Sequence, residues 1–75
     1  MGRLRPLTGR EVCEILEAHG FRVDRQRGSH VIMKRSLPPP SRTVPVPLHR
    51  EVPAGTLRSI IRQSGLASEL FEFPA

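Results

Sequence analysis

Prolines clustered in the middle of the chain limit the folds that it can adopt. Three stand in a row at 38–40, and Pro45 and Pro47 follow within a run of alternating valines. A proline has no backbone N–H to donate, so it is not expected in a central strand of a sheet. Residues 36–41 are therefore predicted to form a proline-rich loop, and residues 42–47 an edge strand or a strand paired on one side only.

A helix is predicted on each side of this middle region. Thr8 and Glu11 have the spacing of a capping box, which predicts a helix from there to about Ala18. The second helix is predicted to begin near Pro53, because a missing N–H is tolerated at a helix start, and to end at about Ser64 before a glycine. Each helix has an apolar stripe, formed by Val12, Ile15 and Leu16 in the first and by Leu57, Ile60 and Ile61 in the second.

Two further strands are predicted between the first helix and the proline-rich loop. Phe21 and Val23 alternate with polar residues, which is typical of a half-buried strand. Gly28 and Ser29 then indicate a turn, and Gly28 is expected to supply a permissive backbone dihedral. The next apolar run is close enough in sequence to pair with the first strand as a hairpin.

Either face of this second strand could point inward, because Val31, Ile32 and Met33 are all apolar. Side chains alternate along a strand, so Val31 and Met33 share one face, while His30, Ile32 and Lys34 share the other. We expect Val31 and Met33 to be buried, which leaves His30 and Lys34 accessible.

The element order is helix, strand, strand, strand, helix, and 75 residues are enough for one domain (1–75). A three-stranded antiparallel sheet with both helices packed on one face buries both apolar stripes. This α+β arrangement is dsRBD-like, having the α-β-β-β-α layout of the double-stranded-RNA-binding domain. Residues 1–7 are predicted to be a flexible lead-in, and the tail at 67–75 is predicted to add a short helical turn.

The charge of the chain indicates its partners. Its net charge is +5 and its sequence pI is about 11.4, with arginine supplying almost all the cations. Such a balance favours nucleic acid, an anionic membrane or an acidic protein. The planar fork of arginine matches phosphate geometry and favours nucleic acid, although arginine could also replace lysine with no functional reason.

Several classes of site and location are not expected from the sequence. Cys13 is the only cysteine, so neither a disulfide framework nor a zinc-binding spacing exists, and no metal or other cofactor is expected. No apolar run approaches the roughly twenty residues of a membrane span, which predicts no membrane association and a cytoplasmic protein. His19 lies at the predicted end of the first helix and is expected to cap it.

His30 is the residue whose surroundings best fit chemistry on a phosphodiester. Histidine can exchange protons near neutrality, since its unperturbed pKa is about 6.5. His30 follows a glycine turn at the start of a strand, although an ordinary hairpin with a polar residue explains the same local pattern. Four cations surround it in the sequence: Arg25, Arg27, Lys34 and Arg35.

Four separated segments resemble those of the HicA-type (YcfA-like) toxins of bacterial toxin–antitoxin systems. Alone, each is weakly specific, but their order and separation match the family over most of the chain. The segments are His19-Gly20-Phe21, Gly28-Ser29-His30, Val46-Pro47-Leu48-His49, and Gly55-Thr56-Leu57-Arg58-Ser59-Ile60 with the later Gly65-Leu66. This chain departs from the family in its extra prolines and in carrying arginine where lysine is frequent.

The resemblance implies a metal-independent endoribonuclease that cleaves messenger RNA and is neutralised by a HicB-type antitoxin. It assigns general acid–base catalysis to His30, with Ser29 and His49 as candidate auxiliary residues. Ser29 could orient His30 or cap the turn, and His49 could be the acid–base partner or a structural hydrogen-bonding group. The candidate RNA-binding residues are Arg25, Arg27, Lys34, Arg35, Arg50, Arg58 and Arg62.

Two other functions fit the same composition. A non-catalytic RNA-binding module needs this fold and charge but no reactive histidine, and a protein-docking domain could use the basic face for an acidic partner. A DNA-binding helix-turn-helix fits less well, because that motif joins its helices by a short turn rather than by strands.

Overall fold

The predicted order of elements is confirmed. The computed structural model describes residues 2–74, so Met1 of the predicted lead-in and Ala75 of the tail lie outside the described residues. The elements are α1 (Gly9–Ala18), β1 (Arg22–Arg27), β2 (His30–Arg35), β3 (Arg42–Pro47), α2 (Ala54–Ser64) and a 3-10 helix (Ser68–Phe71).

Local signals set the ends of α1 as predicted. The Thr8 hydroxyl accepts a hydrogen bond from Glu11 N at 3.0 Å, and the Glu11 carboxylate accepts one from Thr8 N at 2.9 Å. At the other end, His19 Nδ1 lies 2.9 Å from the Ile15 carbonyl oxygen, which confirms the capping role of His19. The reciprocal pair at the start satisfies two backbone donors that the helix itself leaves free.

The ends of α2 also agree with the prediction. Pro53 is the N-cap residue, and Gly65 ends the helix in the left-handed conformation with φ of 71°. The guanidinium of Arg42 packs against Gly65, and its Nη1 donates a hydrogen bond of 3.3 Å to the Gln63 carbonyl oxygen. Arg42 therefore places a cation at the helix C-terminus, where the helix dipole favours positive charge.

The sheet is antiparallel, with β2 between β1 and β3. Since β3 pairs only with β2, the prediction that the proline-bearing strand lies at an edge is confirmed. Pro45 is opposite Ile32 and Pro47 is opposite His30. An edge position leaves the missing N–H groups of both prolines outside the ladder of hydrogen bonds.

The core lies between the sheet and the two helices. Val31 and Met33 of β2 and Val44 and Val46 of β3 belong to one buried cluster with the apolar stripes of the helices. The predicted inward face of β2 is thus confirmed. Ile32 lies on the opposite face but is also buried, between Arg25 and Pro45 of the neighbouring strands.

The prediction that β1 is half-buried is wrong. Every residue of β1 is exposed, and the Val23 side chain retains 55% of its accessible surface. The helices pack on β2 and β3 and do not cover β1, so both faces of β1 are accessible to solvent. Phe21, which helped to suggest a buried strand, is buried but precedes β1.

Residues of the predicted lead-in contact the rest of the fold. Leu4 forms a β-bridge with Glu72, Arg5 N donates a hydrogen bond of 2.9 Å to Phe71 O, and Leu7 is buried. The predicted helical turn of the tail is present as the 3-10 helix, whose Phe71 is completely buried. The segments around Leu4 and Phe71 therefore pair with each other and pack against the core.

Candidate active site

A tight turn places His30 at the start of the central strand. Only Gly28 and Ser29 separate the paired residues Arg27 and His30. Gly28 has φ of 59° and Ser29 has a negative φ, which is the pattern of a type II′ turn with glycine first. Gln26 Nε2 donates a hydrogen bond of 3.1 Å to the Gly28 carbonyl oxygen. The prediction that Gly28 supplies a permissive dihedral is confirmed.

His30 is exposed and alternates along β2 with Val31 and Met33, which face the core. Arg27 is its partner on β1 and Pro47 its partner on β3, so the three residues form one row across the sheet. Directly opposite residues of antiparallel strands have Cβ atoms roughly 5 Å apart. The side chains of Arg27 and His30, both exposed, therefore start from neighbouring positions on the same face of the hairpin.

Backbone hydrogen bonds bring His49 to the same end of the sheet. Ser29 O accepts a hydrogen bond from Leu48 N at 2.7 Å, and His49 O accepts one from Gly9 N at 2.9 Å. The first joins the turn before His30 to the segment that follows β3, and the second fixes that segment to the start of α1. Among residues 2–74, neither imidazole makes a side-chain hydrogen bond, so the rings of His30 and His49 are free for a ligand.

Gly9 allows α1 to approach this segment closely, which predicts a large difference between two Gly→Ala substitutions. A Cβ at Gly9 would overlap the Pro47 carbonyl oxygen and lie 2.8 Å from Leu48 Cα, whereas one at Gly55 would meet no atom within 4 Å. We expect Gly9→Ala to lower the free energy of unfolding by about 1–3 kcal/mol. The control Gly55→Ala is expected to raise it by up to about 1 kcal/mol.

Urea denaturation of both variants measures this difference. Equal stabilities for the two variants would show that Gly9 is not in close contact with the backbone of Pro47 and Leu48.

His30 and His49 line one surface cleft between β3 and α2. The cleft has a volume of about 250 Å³. No carboxylate is among the described residues that line it. The other lining residues are Pro45 and Pro47 of β3 and Thr56, Ser59, Ile60 and Gln63 of α2.

A second cleft continues on the other side of His49. It is lined by Thr8, Arg10, Leu48, His49 and Arg50, so His49 borders both clefts. Arg50 was predicted from the sequence as an RNA-binding residue, but Arg10 was not. Arg10 lies on α1 in the sequence, and only the contact of α1 with the segment after β3 brings it near His49.

A β-bulge gathers arginines on the face that carries His30. The register of β1 against β2 shifts between Val23 and Arg25, so that Asp24 is the extra residue. Arg22 is opposite Lys34 and Arg25 is opposite Ile32, and both therefore share the face of His30. Strict alternation would have put Arg22 and Arg25 on different faces. The sequence analysis considered cations close to His30 in the chain and did not include Arg22.

Asp24 reduces the free charge of this face. Its carboxylate lies 2.6 Å from Arg25 Nη1, and both side chains are substantially exposed. Exposed ion pairs of this kind contribute little to stability. Arg25 is consequently less available to a phosphate than Arg27.

The other predicted RNA-binding residues are scattered. Lys34 shares the face of His30 but stands four residues along β2, roughly 13 Å away. Arg35 lies on the helix side, with its guanidinium 5.1 Å from the centroid of the Phe21 ring. Arg58 lines a different groove, beside Leu4 and Ile61. Arg62 is nearer the cleft, because its Nη2 donates a 3.4 Å hydrogen bond to Ser59 Oγ.

The remaining reactive side chains lie apart from the cleft. Burial raises the pKa of the Cys13 thiol, and the nearby carboxylates of Glu17 and Glu14 raise it further, so this thiol is a poor nucleophile. Within residues 2–74, no three His, Cys, Asp or Glu side chains are grouped as metal ligands. The helices described here are too short and too polar to cross a membrane.

Comparison with known proteins identifies the family. No curated protein matches the chain significantly. A family model described as the HicA toxin of bacterial toxin–antitoxin systems matches residues 9–66, which include α1, all three strands and α2. The match contains both histidines of the cleft and covers well over half of the 75 residues. The chain therefore belongs to the HicA toxin family of bacterial toxin–antitoxin systems.

Proposed function

We propose that this toxin is an endoribonuclease that cleaves messenger RNA in the cytoplasm, with His30 as a general acid or base. The observation that carries the proposal is the shared cleft of His30 and His49, which has Arg27 beside it and no lining carboxylate. Two groups able to exchange protons, next to a phosphate-binding cation, are what cleavage by internal attack requires.

RNA supplies its own nucleophile for this reaction. The 2′-oxygen attacks the adjacent phosphorus and loses its proton to a base, while the bond from phosphorus to the 5′-oxygen breaks and the leaving oxygen takes a proton from an acid. The products are a 2′,3′-cyclic phosphate and a 5′-hydroxyl. The protein has only to position the backbone, move two protons and stabilise the negative charge on phosphorus. No step in this scheme uses a metal ion.

Arg27 is the cation best placed to hold the reacting phosphate. It is opposite His30 across the strand pair, whereas Arg10 and Arg50 line the neighbouring cleft beyond His49. A guanidinium can bind two phosphate oxygens at once. We infer that Arg27 binds the scissile phosphate and that Arg10 and Arg50 bind phosphates farther along the strand.

His49 completes an acid–base pair with His30 in this proposal. The structural task at this position falls to its backbone, whose carbonyl accepts the hydrogen bond from Gly9 N, and the imidazole remains exposed at the cleft. Ser29 acts through its backbone in the same way, because its carbonyl accepts from Leu48 N. We assign Ser29 to positioning and His49 to proton transfer.

Substitution of His49 tests this assignment. His49→Ala and His49→Gln are both expected to lower the cleavage rate by about 10²-fold or more, since glutamine can form hydrogen bonds but cannot transfer protons at neutral pH. Their thermal unfolding is expected to match that of the unmodified chain. Recovery of activity in His49→Gln would assign His49 a hydrogen-bonding role only.

Membership of a toxin–antitoxin family implies an antitoxin partner. We propose that this partner is a HicB-type protein that covers the cleft, since the exposed basic face and the exposed imidazoles are open to an acidic surface. Cleavage measured at increasing antitoxin concentration should stop at one equivalent per active chain. If the antitoxin stops cleavage while RNA still binds in the cleft, the proposal that the antitoxin covers the cleft is contradicted.

The chemistry of the product ends tests the proposed function itself. The purified chain is incubated with a labelled messenger RNA in excess chelator, and the new ends are mapped. We expect 2′,3′-cyclic phosphate and 5′-hydroxyl ends, and growth arrest with fragmented transcripts when the chain is produced without its antitoxin. Salt-dependent RNA binding with no new ends would instead identify a non-catalytic RNA-binding module. Absence of both binding and cleavage at low salt would favour a protein-docking domain.

A further inference from the structure

We propose that the cleft between β3 and α2 binds a single unpaired nucleobase next to the scissile phosphate, so that the enzyme cuts RNA only where it is unpaired. The inference rests on the proposed function, because it assigns the substrate class of the same site. It does not follow from the dsRBD-like fold, since that fold is associated with recognition of RNA double helices by shape.

The walls of the cleft suit the flat face of a base. The rings of Pro45 and Pro47 lie on the β3 side, and Ile60 of α2 adds an apolar surface. Pro47 and Ile60 are buried, so these walls are fixed by the core rather than by mobile side chains. A base taken out of a stack can be held between apolar side chains, and such contacts depend little on base identity.

The polar lining suits the edge of a base. Thr56, Ser59 and Gln63 follow one another along the same side of α2 and face the cleft. Within the described residues, the amide side chain of Gln63 has no hydrogen-bond partner, and the backbone carbonyl of Gln63 accepts a hydrogen bond from Arg42. An amide offers both a donor and an acceptor, as the edge of a base requires.

The dimensions of the cleft suit a single base better than a double helix. Thr56 and Gln63 are seven residues apart, so the cleft extends roughly 10 Å along α2. Its volume of about 250 Å³ lies just below the range usual for pockets that bind small molecules. Bases of a duplex are stacked and paired, and extruding one of them costs a few kcal/mol.

The position of the cleft links base binding to cleavage. His30 and His49 line the same cleft as the three polar residues of α2, and Arg27 is beside His30. A base held by α2 would therefore place the sugar and phosphate attached to it at the histidines. Binding of the base would then set the position of the cut.

Nucleotide binding tests the proposal without any need for catalysis. The unmodified chain is titrated with each of the four nucleoside 3′-monophosphates, which contain no bond for it to cut, and separately with inorganic phosphate. We expect at least one nucleotide to shift the NMR signals of the Gln63 side-chain amide and the Ile60 methyl groups, and phosphate alone to leave them unchanged. Equal shifts with phosphate, or none with any nucleotide, would overturn the proposal.

Filling the cleft provides a matched comparison. Thr56→Leu places a larger apolar side chain in the cleft, whereas Thr43→Leu makes the same change at an exposed position of β3 outside it. We expect Thr56→Leu to weaken nucleotide binding by about tenfold or more and Thr43→Leu to leave it unchanged. Equal affinities in the two variants would count against the cleft as the base site.

Cleavage of one RNA in two forms separates this proposal from the proposed function. A labelled strand is offered alone and annealed to its complement, and the products are mapped. Cutting of the single strand only is the expected result. Equal cutting of both forms would overturn the unpaired-base proposal while leaving the ribonuclease intact. If neither form is cut, the proposed function fails, and the nucleotide titration still decides whether the cleft binds a base.

Discussion

Replacement of His30 by alanine is expected to lower the rate of RNA cleavage by about 10²–10⁴-fold. The imidazole is exposed at the cleft, and among residues 2–74 no side-chain hydrogen bond holds it, so its removal should affect chemistry rather than folding. The turn that positions it depends on Gly28 and on backbone hydrogen bonds of Ser29, which the substitution leaves in place. Single-turnover cleavage of a labelled RNA, together with RNA affinity and thermal unfolding, measures the three effects separately.

His19→Ala is the matched control for this substitution. His19 is also an exposed histidine, but it caps the end of α1 and lines a groove away from the cleft. We expect His19→Ala to retain full cleavage and to lose only the modest stability of a helix cap. If His30→Ala cleaves as fast as His19→Ala, His30 is not catalytic. If it loses RNA affinity in proportion to its cleavage rate, His30 serves binding rather than proton transfer.

Phe71→Ala is expected to destabilise the fold by about 3–5 kcal/mol. Phe71 has no accessible surface and belongs to the core cluster, although it lies beyond residue 66, where the family match ends. Its backbone carbonyl also accepts the hydrogen bond from Arg5 N that holds the lead-in. Because a domain of this size has little stability in reserve, such a loss would leave a large fraction of the chain unfolded at 37 °C. Urea denaturation followed by circular dichroism provides the measurement.

Phe73→Ala removes the same side chain two residues later and is the control. Phe73 retains 44% of its accessible surface and contacts Arg3, whose guanidinium carbon lies 5.6 Å from the ring centroid. An exposed cation–π contact is worth about 0.5–1 kcal/mol, so the expected loss is small. Similar losses for Phe71→Ala and Phe73→Ala would mean that the tail does not complete the core.

Features with a local cause were predictable from the sequence. The capping box of Thr8 and Glu11 set the start of α1, Gly65 ended α2, and the prolines of β3 required an edge strand. The expectation that Val31 and Met33 face inward and leave His30 exposed was also met, although the apolar Ile32 meant that alternation did not decide the face by itself. The helix ends and the edge position of β3 are each explained by residues that are close together in the sequence.

Features that depend on distant contacts were not predictable. The pairing of Leu4 with Glu72 joins the two ends of the chain, and nothing near either residue indicates it. The exposure of β1 depends on where the helices pack, and the position of Arg10 beside His49 depends on the contact between Gly9 and His49. Sequence spacing also grouped Arg35 with His30, although the two residues lie at opposite ends and on opposite faces of β2.

The bulge at Asp24 also has a consequence for variation in chain length. Since the pairs of Arg22 with Lys34 and of Arg25 with Ile32 skip Asp24, the hairpin holds one residue more than its ladder requires. A deletion confined to Asp24 would preserve the partner and the face of every other residue in β1, and would remove the carboxylate that neutralises Arg25. This is the position at which the first hairpin can lose a residue and become more basic without a change of register.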